Sequence, residues 1–385
     1  MRKQLMVFLF VTGLLLTGCG ESKTNQPEAT SPAPQESFVA KIPITLPVAQ
    51  TGTITFANIL DHTSEIPETA WQKVQDVIAS SDAVAVQHDV YIGPNTQVSI
   101  SGGKERIEVI LDKATKLWSG FTLTKYFSLV YYNLADEKWA EQKTRDIWKA
   151  KGYEPSTEGG AIHALQISCQ SQSAPGVGGA DLGYCGGADA GAVTNSDNGF
   201  LQVAEGDNQH PDTSGSILTH EFTHTIQSAQ WIGNANCQNE GKNCSRTNLA
   251  KDFAPCWLNE GQPNGINVMV ANSDFSSYLE SRPIGKDTSQ KITDFSAESL
   301  RSYLYDQSPS TCYKNGELYQ LGFGVGAITI EALVAIGGPQ ATMALFALGA
   351  EGQDFPTAFE NVYGISWSEA SIILSKVLAK EYSTN

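Results

Sequence analysis

The chain has 385 residues, 41 acidic against 25 basic side chains, a formal net charge of −16 and seven cysteines. That length is ample for a hydrophobic core, and 41% hydrophobic with 17% charged residues describes an ordered globular protein. The acidic balance argues against nucleic acid as a partner, because neutralising phosphates needs clustered Lys and Arg, and against adhesion to anionic lipid by charge alone.

At the N-terminus, Arg2 and Lys3 precede an apolar run, Leu5–Leu16, which is too short to span a bilayer comfortably and is typical of a signal peptide. The run ends in Leu16-Thr17-Gly18-Cys19, which resembles a bacterial lipobox. That resemblance implies removal of residues 1–18, a lipid on Cys19, and a protein anchored to the membrane in the bacterial cell envelope, outside the cytoplasm. Residues 20–37 carry no large apolar side chain, so 19–37 reads as the lipidated cysteine and a flexible tether. Six cysteines remain: Cys169, Cys185, Cys237, Cys244, Cys256 and Cys312. An even number in an exported protein suggests disulfides. Pairing in chain order, 169 with 185, 237 with 244 and 256 with 312, closes the shortest loops. A cysteine-rich metal site is disfavoured because no C-x-x-C occurs.

Residues 38–100 are rich in Val, Ile and Thr with breaks at Pro43, Pro47, Gly52 and Gly93-Pro94, and predict short strands around one helix near Thr69–Ser80. From Lys104 the period changes. Ile107, Ile110, Leu111, Ala114, Leu117 and Trp118 mark one face of a helix that Gly120 stops. Leu123–Tyr132 reads as a strand, Asp136–Lys151 as a helix, and Ala164–Ser168 as a further strand. Gly176–Asn198 is glycine-rich without periodicity and reads as loop; its Asp181, Asp189, Asn195 and Asp197 lack calcium-loop spacing and read as polar turns. Phe200–Ala204 is a strand candidate. After residue 290 the pattern is mostly helical, and Leu318–Ile336, interrupted by Glu331 and glycines, reads as a buried helix rather than a membrane span.

The chemistry is concentrated in Thr219-His220-Glu221-Phe222-Thr223-His224, an H-E-x-x-H sequence. On a helix, residues four apart share a face, so both imidazoles reach one metal ion, and Glu221 stands beside them as a base for a metal-activated water. At this composition roughly 0.01 such matches are expected by chance. Leu218, Phe222, Ile226 and Ala229 supply an apolar stripe, and Ser214 or Ser216 can cap the start. His62, His88, His163 and His210 lack ligand spacing and read as structural or exposed.

A catalytic zinc needs a third protein ligand. Positions 227 and 230 are both glutamine and no histidine follows His224, which excludes the H-E-x-x-H-x-x-G-x-x-H pattern. The third ligand is therefore a carboxylate (Glu240, Asp252, Glu260, Asp274 and Glu280 are the candidates) or an unoxidised cysteine. At Cys256-Trp257-Leu258-Asn259-Glu260-Gly261 the chain resembles the gluzincin metallopeptidases, the bacterial group in which H-E-[FL]-T-H is followed by W-L-x-E-G. The resemblance is specific over residues 217–262 and looser over 100–370, where Tyr319-x-x-Gly322 and Phe355–Gly364 are similar to the family's tail. It implies His220, His224 and Glu260 as ligands of one zinc ion per chain, Glu221 as general base, and Tyr319 as a donor to the developing oxyanion, with Tyr303, Tyr305 and Tyr313 as competitors. It also implies an α+β fold: a zincin-like core over 101–270, with a twisted mixed sheet and an active-site helix, then a mainly helical subdomain over 271–385. Two departures stand out. Pro263 follows the second motif, where a helix interior would lose about 3 kcal/mol; and Asn264 stands where some gluzincins carry an Asp that orients a ligand histidine. The implied function is a lipid-anchored zinc metallopeptidase acting on a peptide or protein. A non-catalytic substrate-binding or envelope-assembly lipoprotein on the same scaffold is the alternative that Pro263 favours.

Overall fold

The alternation in Tyr126–Tyr131 (YFSLVY) organises the molecule. Phe127, Leu129 and Tyr131 join the main core with Phe222 and Ile226, whereas Tyr126 and Val130 join a second cluster with Ala140, Ile147 and Trp148. A strand covered on both faces carries buried side chains at successive positions, and all six of these residues are buried.

The computed structural model describes residues 38–384 apart from 51, 83, 154–184, 194–195, 205–211, 235–244, 283, 285–293 and 306–315. The signal peptide, Cys19, the tether, the strand expected at 164–168, and Cys169, Cys237, Cys244 and Cys312 lie outside the described residues, as do His163, His210, Glu240 and Tyr313. In chain order the elements are α1 (Ile66–Ser80), β1 (Gln87–Ile92), α2 (Gly103–Leu117), β2 (Tyr126–Tyr131), α3 (Glu137–Ala150), β3 (Ala188–Ala192), β4 (Asn198–Val203) and α4 (Ser216–Ala229). Helices follow: α5 (Arg246–Phe253), α6 (Cys256–Asn259), α7 (Gly261–Ala271), α8 (Phe275–Ser281), α9 (Ala297–Tyr305) and α10 (Gly316–Leu321). A π-turn (Gly322–Gly326) joins α10 to α11 (Ala327–Gly337), and α12 (Pro339–Ala350), α13 (Phe355–Tyr363) and α14 (Trp367–Thr384) complete the chain.

The fold is mixed α and β, with a four-stranded mixed sheet in the order β1-β2-β4-β3. β1, β2 and β4 run parallel, and β3 runs antiparallel to β4 in a register that sets Asp189 opposite Gln202. α3 covers one face of the sheet, and α2 and α4 pack on the main core at the other.

Two expectations change here. The glycine-rich 176–198 stretch contains β3: a run of Ala, Asp and Gly has no intrinsic strand pattern, so the strand exists because β4 offers it a ladder. The strand expected at 200–204 is present as β4, interior to the sheet with β3 as the edge beside it. Among the described residues of 38–101 only β1 is a strand; the rest of that segment supplies α1 and extended chain that leans on the C-terminal helices, as where Val48 N–H donates to Val362 O at 2.8 Å. Leu318–Gly337 is long and apolar enough to cross a membrane, but 83% of its apolar window is buried inside the molecule, where α11 packs among α1, α7 and α12. Its interrupting charge, Glu331, is buried against the Arg282 guanidinium and the Tyr278 hydroxyl, as a buried carboxylate requires.

Candidate metal centre

α4 starts where the chain makes a turn that only glycine tolerates. Gly215 has φ 85°, and a Cβ there would meet Ile110 Cδ1 at 2.2 Å. The cap expected from Ser214 or Ser216 belongs instead to Asp212. Its carboxylate accepts from the N–H groups of Ser214, Gly215 and Ile217 at 3.0, 3.0 and 2.7 Å, while Ser214 Oγ takes only the Ser216 N–H at 3.2 Å. A carboxylate serves better here because it satisfies several orphan donors at once and sits at the positive end of the helix dipole. The apolar stripe Leu218, Phe222, Ile226 and Ala229 is fully buried, with Phe222 edge-on to Phe127 at 5.3 Å. Packing that stripe inward turns His220, Glu221 and His224 along one side of the helix.

Glu260 sits at the joint between α6 and α7, its amide bonded to Cys256 O and its carbonyl accepting from Asn264 N–H. Pro263 is the third residue of α7, inside the first turn, where its missing N–H would have no helical partner. The joint is held from behind. Trp257 is fully buried between Phe355 and Trp367, at 5.7 and 5.2 Å, with its indole N–H on Leu304 O. Gly261 lies so close to the π-turn that an added Cβ would stand 2.5 Å from the Gly326 carbonyl carbon.

These two supports bring three ligand atoms together. Nε2 of His220 and Nε2 of His224 are 3.2 Å apart, and Glu260 Oε2 lies 3.8 and 3.3 Å from them. Ligands about 2.0–2.1 Å from a tetrahedral zinc stand about 3.3 Å apart, so the set fits a zinc-sized cation with a fourth side left over. Among the described residues this is the group of His, Cys, Asp and Glu side chains able to hold a metal. Asp252 and Glu280 are exposed, Asp274 caps α8 through Ser277 N–H, and Cys256 is disulfide-bonded, as is Cys185.

The charges fit a cation as well. Burial pushes the Glu260 carboxyl up, but the imidazoles of His224 and His220 hold it well below the ordinary range. Burial pushes His224 down, yet Glu260 and Glu221 outweigh it and lift it to about 9. His220 is lowered, by burial and by His224 beside it. Glu221, with Oε1 4.0 Å from His220 Nε2, is raised to about 8, chiefly by burial and further by Asp189 and Glu260. The buried carboxylates of Glu221 and Glu260 beside two imidazoles form a set whose charge a divalent cation would balance.

Outer partners hold each ligand. His224 Nδ1 is 2.8 Å from Gln227 Oε1, Asn259 Nδ2 donates to Glu260 Oε1 at 2.9 Å, and Asn264 Nδ2 donates to Phe323 O. Phe323, in the π-turn, stacks on His220 at 5.7 Å, and Tyr319 meets Phe323 edge-on at 5.1 Å. Burial raises the Tyr319 hydroxyl well above its ordinary value, and the charges of Glu260, Glu221 and Asp189 raise it further. Tyr303 points its hydroxyl at Leu318 O, and Tyr305 is exposed beside Arg301. His62 pairs with Glu65, and His88 with Glu108 while stacking on Phe127, away from the metal group.

Sequence reasoning missed Asp212, Phe323, the neighbouring Asp189 and the role of Gln227. Only Gln227 left a signal, its spacing three residues beyond His224. Comparison with known protein families, characterised proteins and solved structures finds no match for the chain.

Proposed function

We propose that this chain is a zinc metallopeptidase with a zincin-like core of gluzincin type, anchored through a lipid on Cys19 outside the bacterial cytoplasm and hydrolysing peptide bonds of a peptide or protein. The observation that carries the reading is the convergence of His220 Nε2, His224 Nε2 and Glu260 Oε2 within 3.2–3.8 Å, with the Glu221 carboxylate alongside. Zinc, when bound, supplies a Lewis acid that polarises the scissile carbonyl and lowers the pKa of water. Glu221 takes the proton of the attacking water on its carboxylate and hands it to the departing amine nitrogen. Its burial suits it to both steps, since a desolvated carboxylate has a raised affinity for the proton it takes and holds before passing it on. Tyr319, near the charges of Glu260 and Glu221, is the candidate donor to the developing oxyanion. Pro263 costs α7 nothing at its third position, which supports Glu260 in the ligand role.

Glu221→Gln tests the reading. The variant is expected to bind zinc like the parent and to lose hydrolysis of a peptide library by about 100-fold or more. Full cleavage by that variant would overturn the assigned base.

A further inference from the structure

This inference rests on the reading of His224 as a metal ligand and concerns how that ligand is held. Beyond the 2.8 Å contact between His224 Nδ1 and Gln227 Oε1, the Gln227 Nε2 faces the other way, 3.1 Å from Asn259 O and 2.8 Å from Gln262 Oε1. Gln262 gives its Nε2 to Thr342 Oγ1 at 2.8 Å, and the Thr342 hydroxyl donates to Pro339 O at 2.7 Å. Gln227, Asn259, Gln262 and Thr342 are all buried, and none is exposed by more than 1%.

The direction of this chain is forced. A backbone carbonyl can only accept, so Pro339 O makes the Thr342 hydroxyl a donor and leaves Oγ1 as an acceptor for the Gln262 NH2. Gln262 Oε1 then faces Gln227, which meets it with its own NH2, and Asn259 O independently demands the same orientation. Both hydrogens of that NH2 are used. Only Oε1 remains for His224, whose Nδ1 therefore carries a hydrogen. A neutral imidazole protonated at Nδ1 has its lone pair on Nε2, the atom 3.3 Å from Glu260 Oε2.

We propose that Gln227, locked by Asn259, Gln262 and Thr342, is the positioning residue that fixes His224 as an Nε2 donor to the metal, through a neutral amide relay running from the centre into α12. The choice of amide over carboxylate follows from the same geometry. A glutamate at 227 would turn one oxygen toward Asn259 O and Gln262 Oε1, two acceptors, in a buried site that already holds Glu221 and Glu260.

Nitrogen-15 NMR of the zinc-loaded protein tests the tautomer directly. His224 is expected to show an exchange-protected hydrogen on Nδ1, and a hydrogen on Nε2 overturns the proposal. In competition with a chelator, Gln227→Met is expected to weaken zinc binding roughly 10–100-fold with near-ultraviolet circular dichroism retained. Thr342→Val, at the far end, is expected to lose only a few-fold, because Asn259 O still orients Gln227. A folded Gln227→Met that binds zinc as tightly as the parent counts against this inference alone. Should that variant not fold, the NMR of the parent protein decides. A parent that binds zinc yet cleaves no peptide counts against the peptidase reading alone.

Discussion

The two segments that deliver the candidate metal ligands are built by different physics. α4 is a continuous helix, so the spacing of His220 and His224 follows from its pitch and would survive considerable change around it. Glu260 stands at a break between α6 and α7, and its place depends on contacts from far along the chain: Trp257 against Phe355 and Trp367, and Gly261 against Gly326. The histidine pair is set locally, the carboxylate tertiarily. Variants of the second segment should therefore lose metal and stability together, whereas variants at the start of the first should lose stability alone.

The largest effect is expected from Glu260→Ala. Removing the carboxylate should weaken zinc binding beyond the roughly 100-fold typical of outer-partner changes, while Asp252→Ala leaves it unchanged. Equal effects in chelator competition would remove Glu260 from the ligand set. Next is the response to pH. His224 without metal keeps its proton up to about 9, and that proton must leave when zinc binds. Apparent affinity should rise about tenfold per pH unit up to that point and then level off. Because Glu260 is the principal group lifting His224, the break should move to lower pH in Glu260→Ala, and an unmoved break would show the two segments to be electrically independent.

Trp257→Ala should cost about 3–5 kcal/mol in denaturant unfolding, since a fully buried indole leaves a cavity, and should loosen zinc as the joint shifts. Stability lost without any change in zinc affinity would contradict the tertiary placement of Glu260. Asp212→Ala is the smallest, about 1 kcal/mol of helix-cap stability with zinc affinity close to the parent's. A large loss of metal there would mean that α4 is less autonomous than its geometry implies.

Where a stretch obeyed one local period, its structure was legible. The stripe from Ile107 to Leu117 formed α2, Tyr126–Tyr131 formed β2, and H-E-x-x-H formed part of a helix. β3 was not legible, because Ala-Asp-Ala-Gly-Ala has no pattern of its own and becomes a strand only against β4. Asp212 was missed for a related reason: serines nearer the helix match the usual cap pattern, and the carboxylate reaches past them once Gly215 turns the chain.

What the amino-acid order determined alone was therefore the pair of histidines with Glu221 between them, because helical pitch is a property of neighbouring residues. Tertiary structure decided how the carboxylate that the second motif singles out comes to stand beside them. It brought Glu260 to within 3.3 Å of His224, set Pro263 in a first turn where it does no harm, and ran Gln227, Gln262 and Thr342 into one directed chain. Those outcomes depend on the close approach of segments dozens of residues apart, and that approach is set by how Trp257, the glycines of the π-turn and α11 fill the core.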